Sequence, residues 1–128
     1  MSDLAAGDAD LELALDEGAI QAHLSGLFAH DFDKAHRVYR KDAVLTQPQL
    51  GTTIVGRDNI KAARRKHASW ELVKVDVVVG QGNLWVAECI FAENTKKIMV
   101  VSVMEFSDGQ IANEREYSCD IAIAAQAP

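Results

Sequence analysis

The sequence predicts an α+β fold, a cone-shaped α+β barrel in which three N-terminal helices pack on one face of a curved antiparallel sheet. Two observations carry this prediction. Up to Ser69 most apolar residues recur at helical spacing, interrupted by short extended stretches. After Ser69 the period drops to two, and four long runs rich in β-branched residues follow, separated by short turns. Consecutive strands joined by turns that short form an antiparallel meander. A chain of 128 residues has room for one such domain and not two.

Residues 1–15 read as an acidic leader, and residues 16–128 as the single domain. Residues 1–17 hold six acids and no base, so they alone account for the net charge of −6. The thirteen basic and thirteen acidic residues that follow cancel. A neutral body argues against general nucleic-acid binding, which needs positive surface. Residues 1–10 have little apolar surface to bury, and deleting them is expected to leave folding intact.

Asp16 is a plausible N-cap for a first helix over about 17–30, with Ile20, His23, Leu24, Leu27 and Phe28 on one stripe. A second helix over about 31–40 places Phe32, Ala35, Val38 and Tyr39 on one side. Asp42 to Thr46 reads as a strand ended by Gln47-Pro48, and Gly51 to Val55 as a turn and a short extended piece. Gly56-Arg57-Asp58 opens a third helix, about 57–68, with Ile60, Ala63 and His67 inward. Lys61, Arg64, Arg65 and Lys66 read as its solvated face. The meander strands are Glu71–Val79, Leu84–Ala92, Lys97–Phe106 and Ile111–Ala122. Ser107-Asp108-Gly109-Gln110 is a strong hairpin signal.

Several classes are disfavoured. No apolar run reaches the ~18 residues of a membrane span. The N-terminus lacks the basic-then-apolar plan of a signal peptide, so a cytoplasmic protein is expected. Cys89 and Cys119 are too few for a disulfide scaffold and read as buried, reduced thiols. No His, Cys and carboxylate set has metal-ligand spacing, and Gly80-Gln81-Gly82 lacks the rest of a dinucleotide fingerprint. Neither a metal nor a cofactor is expected.

The chemistry-bearing candidates are few. His23 sits on an apolar stripe, where partial desolvation suits a proton carrier near neutral pH. It reads equally as a core histidine bonded to a carbonyl. His67 faces inward by spacing, while His30 and His36 fall near helix ends and read as surface residues. On the last strand Glu114 and Glu116 share one face, and Arg115 and Tyr117 the other. A two-residue loop at Asp108-Gly109 turns Arg115 and Tyr117 inward; a three-residue loop with a glycine bulge turns the two glutamates inward. Trp70 and Trp85 can wall an apolar pocket or sit in the core. The strands are apolar on both faces, and covering the outer one calls for a homodimer, through Val73, Val75 or their neighbours.

The order helix, helix, "YRKDAVLTQP", "GRDNIKAARR", then a meander ending "MEFSDGQIANEREY" resembles a SnoaL-like domain. That family belongs to the nuclear transport factor 2-like superfamily, with ketosteroid isomerase, scytalone dehydratase and limonene epoxide hydrolase as relatives. The resemblance spans about residues 16–120. It implies a cone with a pocket between helices and sheet, and a dimer. It also implies three pocket positions. The isomerase base before the proline becomes Gln47. The acid on the third meander strand becomes Ser102, and the first-helix tyrosine becomes approximately His23. A glutamine cannot abstract a proton, and serine is a poor acid at neutral pH. The implied cavity is apolar, walled by Leu24, Phe28, Val44, Trp85, Val100 and Met104, with at most one carboxylate, Glu114. Two readings follow. One is a domain binding a small apolar molecule, contacted by Gln47, Ser102, Trp85, Phe28 and Met104. The other is an isomerase, cyclase or dehydratase with His23 as acid/base and Glu114 as its partner.

Overall fold

The computed structural model describes residues 17–121. The expected leader, residues 1–15, therefore lies outside the described residues. Helix α1 covers 17–28, and α2 is Phe32–Arg37. Strand β1 (Tyr39–Gln47), a 3-10 turn (Pro48–Leu50) and β2 (Thr52–Val55) lead to α3 (Arg57–Arg65). The meander is β3 (Glu71–Gln81), β4 (Leu84–Glu93), β5 (Lys96–Ser107) and β6 (Gln110–Asp120).

The six strands form one sheet in the order β2-β1-β6-β5-β4-β3. The meander is antiparallel as expected, but β1 runs parallel to β6, so the sheet is mixed. Tyr39 and Arg40 belong to β1 and not to the second helix, which stops at Arg37. Helix α2 is held at its start by Asp31, whose Oδ1 accepts from the Lys34 amide at 3.1 Å. Ile20 and Leu24 of α1, Ile60 of α3, and Tyr39, Leu45, Met104, Phe106 and Ile111 of the sheet make the core between the layers.

Two glycines permit close approaches that set the frame. A Cβ on Gly26 would fall 2.5 Å from the Ala35 nitrogen, so α1 and α2 touch backbone to backbone there. A Cβ on Gly80 would fall 2.1 Å from the Trp85 ring. The indole therefore lies flat over its cross-strand partner Gly80.

Irregular pairing decides which side chains face the helices. The β5–β6 loop is the two-residue Asp108-Gly109, with φ of 54° and 76°. By itself that loop would turn Arg115 and Tyr117 inward. However, Phe106 pairs with Ile111 and Glu105 with Asn113, so Ala112 is an extra residue in β6. This bulge reverses the alternation beyond it. Glu114 then pairs with Met104 and Glu116 with Ser102 on the helix side, while Arg115 and Tyr117 face outward.

Strand β3 carries two further irregularities, between Leu72 and Lys74 and between Val75 and Val77. Val75 pairs with Cys89 and so lies on the helix side, correcting its expected place on the outer face. The outer face instead shows Val79, Leu84, Val86, Ile90, Met99, Val101 and Val103. Val79 and Leu84 are exposed, and the other five are half-buried. Cys119 pairs with Met99 on that side and is exposed, contrary to expectation, whereas Cys89 is buried. No helix among the described residues is long and apolar enough to cross a membrane.

Candidate functional site

A cavity opens between the helices and the inner face of the sheet, with about 750 Å³ of empty space including its mouth. Its walls are Leu24 and Leu27 of α1, Phe91 of β4, and Val100 and Met104 of β5. Phe32, His30, His67 and Trp70 also line it. Its polar lining comes from four elements: His23 of α1, Arg64 of α3, Ser102 of β5 and Glu116 of β6.

Arg64 organises the polar end. Its Nη2 lies 3.0 Å from Glu114 Oε1, 2.8 Å from Glu116 Oε2 and 3.4 Å from the Tyr39 hydroxyl. Tyr39 also donates to Glu114 Oε1. Gln47 Nε2 donates to the other oxygen of Glu116, at 3.2 Å. Glu114 is fully buried, and Glu116 retains some exposure toward the cavity. One guanidinium thus joins two carboxylates from adjacent inward positions of one strand. Burial works against the Arg64 cation, but the combined field of Glu116, Tyr39 and Glu114 outweighs it and raises its pKa. Burial pushes the Tyr39 phenol up, and the Glu114 carboxylate adds to that, so Tyr39 stays a donor.

His23 combines a carbonyl hydrogen bond with a place in the cavity lining, but it does not titrate near neutral pH as expected. Its Nδ1–H donates to the Ala35 carbonyl at 2.6 Å, an approach made possible where Gly26 brings α1 against α2. The ring also lines the cavity. Burial, then the nearby Arg64 charge, lower its pKa to about 4. The imidazole is neutral at pH 7, and with the proton fixed on Nδ1 its lone pair is on Nε2. His36, expected at the surface, is buried: its Nδ1–H donates to Phe32 at 2.8 Å, and its ring stacks on Tyr39. Burial, then Arg64, lower its pKa to about 3. The Cys89 thiol is pushed up to about 11 by burial, then by Glu114, and is no nucleophile at neutral pH.

The structure brings His23, Ser102 and Met104 to the cavity, and Gln47 to it through Glu116. Four expectations need correction. Phe28 is 68% exposed and borders a shallow groove with Val73 and Val75. Trp85 is buried against Gly80 and does not line the cavity. Val44 does not line it either. Glu114 sits behind the lining, and the one carboxylate among the described lining residues is Glu116, so the expected identity of that carboxylate is corrected.

Arg64, read as part of a solvated face, is the residue the sequence reading missed. The signal was present: Arg64 is four residues from Ile60, on the same helical stripe. His67 is exposed at the mouth because α3 ends at Arg65 and the chain leaves the helical path before it. Among the described residues no group of three or more His, Cys, Asp or Glu could hold a metal ion.

The SnoaL-like domain family pattern matches residues 20–114. A comparison with curated proteins finds no match. Among solved structures, an NTF-2 like protein of unknown function from Burkholderia xenovorans LB400 is 34% identical. That likeness covers 89% of this chain and 90% of that one, with a TM-score of 0.81. A candidate ketosteroid isomerase from Kribbella flavida DSM 17836 is 14% identical over 86% of this chain and 82% of its own, with a TM-score of 0.78. An LEH-like epoxide hydrolase from M. tuberculosis is 22% identical over 83% of this chain and 84% of its own, with a TM-score of 0.66. The last two likenesses show the fold alone. With its mixed sheet, three helices and the cavity between them, this chain belongs to the SnoaL-like domain family, on the NTF2-like fold.

Proposed function

We propose that the chain binds a small, mostly apolar molecule in the cavity and moves a proton on it with its own side chains. The observation that carries this reading is the presence of Glu116 and His23 together in the lining of one largely apolar cavity. Glu116 is the base, held in place by Arg64 and Gln47. His23 is neutral and offers a second acceptor, and Ser102, opposite Glu116, offers a hydroxyl. Glu114 is a positioning residue that shares the Arg64 charge. A proton shift, dehydration or cyclisation fits this set. The second reading is a binding domain without catalysis. It is favoured by the engagement of both Glu116 oxygens, one by Arg64 and one by Gln47.

The apolar outer sheet face supports assembly as a homodimer, and the two free thiols suit a cytoplasmic setting. Native mass spectrometry of freshly purified protein tests ligand and assembly together. The expected species is a dimer carrying a small molecule; an empty monomer contradicts both. Incubating that molecule with the protein in D2O then separates the two readings. Deuterium uptake with the wild type, and its loss in Glu116→Gln, supports catalysis. No uptake with the wild type supports binding alone, and equal uptake in both removes Glu116 as the base.

A further inference from the structure

The charge balance at the closed end of the cavity limits what can enter. Glu114 and Glu116 bring two carboxylates, and Arg64 brings one guanidinium. Arg64 is the one Lys or Arg among the described lining residues. It is already engaged by both carboxylates and the Tyr39 hydroxyl. His23 adds no cation, because burial and Arg64 keep it neutral. Its Nδ1–H is committed to Ala35, so it presents an acceptor. The remaining lining groups at that end are a carboxylate, Glu116, and a hydroxyl, Ser102. His30 and His67 also line the cavity, as exposed side chains.

A ligand carboxylate or phosphate seated there would meet Glu116, and the one cation beside it already faces two carboxylates through its Nη2. A hydroxyl or amine would find two acceptors. We propose that the site selects molecules whose apolar body ends in a hydrogen-bond donor, an alcohol, phenol or amine, and excludes those that end in a carboxylate. This rests on the reading of the cavity as a ligand site and names the ligand class for it. The polar end is an acceptor site set in a mostly apolar wall, so the body supplies affinity and the handle supplies orientation. A carboxylate that enters must be desolvated beside a like charge.

Four probes with one body and different handles test this at pH 8: 2-naphthol, 2-naphthylmethylamine, 2-naphthoate and naphthalene, by calorimetric titration. The expected result is that naphthol or the amine binds at least about tenfold tighter than naphthoate. In Glu116→Gln that gap should close to within about threefold, as the like charge is removed. Naphthoate binding as tightly as the donors overturns the inference, while binding of naphthalene in the same series keeps the ligand reading intact. A gap that persists unchanged in folded Glu116→Gln also overturns it, because the discrimination then arises elsewhere. Should that variant fail to fold, the wild-type ranking decides alone. Binding of none of the four overturns the ligand reading, and this inference with it.

Discussion

The two ends of the cavity are built on different physics. The apolar walls, with Leu24, Leu27, Phe91, Val100 and Met104, are ordinary core positions whose inward direction follows from helix and strand periodicity. The closed end is a network of Arg64, Glu114, Glu116, Tyr39 and Gln47, in which each group depends on another for its charge or hydrogen bonds. A wall of the first kind tolerates exchange of one apolar side chain for another of similar volume. An end of the second kind does not tolerate loss of a member, because an uncompensated buried charge is costly. Under the proposed function, this difference separates the residues that fit the ligand's apolar body from those that contact its polar group.

The largest effect should come from Arg64→Met. It leaves Glu114 and Glu116 facing each other without their cation and should cost roughly 3–5 kcal/mol in urea unfolding. Adding Glu114→Gln should restore part of the loss; no recovery would mean that Arg64 acts through packing and not through charge.

Acid should act on the same end. His23 and His36 are buried and neutral, with pKa values of about 4 and about 3, whereas an unfolded histidine titrates near ~6.5. Below ~6.5 the unfolded chain takes up protons that the folded chain refuses, so stability falls as pH drops from there toward the folded values. It is fully present above ~6.5. His23 alone should contribute a loss of roughly 3 kcal/mol by about pH 4. Urea unfolding as a function of pH reads this slope, and in His36→Leu the slope should become shallower.

A smaller loss is expected for Tyr39→Phe, which removes one donor from Glu114 but leaves Arg64 in place. Roughly 1–3 kcal/mol is expected from equilibrium unfolding. The smallest belongs to the apolar walls: Met104→Leu should change stability by less than about 1.5 kcal/mol. A Met104→Leu loss as large as that of Arg64→Met would erase the contrast between the two ends.

The two ends also differ in how far the sequence reveals them. Ile20, His23, Leu24, Val100 and Met104 sit where a period of 3.6 or 2 puts them. The meander is legible from its turns. The identity of the inward carboxylates is not, because it depends on one extra residue, Ala112, whose bulge has no mark in the sequence. Asp108-Gly109 signals a two-residue loop, and that signal alone gives the wrong face. Val75 changes sides through irregularities in β3 of the same kind. Arg64 was masked by its neighbours: Lys61, Arg65 and Lys66 make a basic run that reads as solvated, although the Ile60 stripe runs through it. Phe28 and Trp85 show the limit of stripe arguments for large side chains. Phe28 lies at the open end of α1, and Trp85 is drawn onto Gly80.

The central claim is that a small apolar molecule occupies the cavity between helices and sheet, and not the apolar outer face. The methionines provide a direct test, because Met104 lines the cavity and Met99 lies on the outer face of the same strand. With the methionine methyls labelled with 13C, titration with 2-naphthol should shift the Met104 resonance and leave Met99 in place. A shift of Met99 with Met104 unmoved would place binding on the outer sheet face and contradict the account.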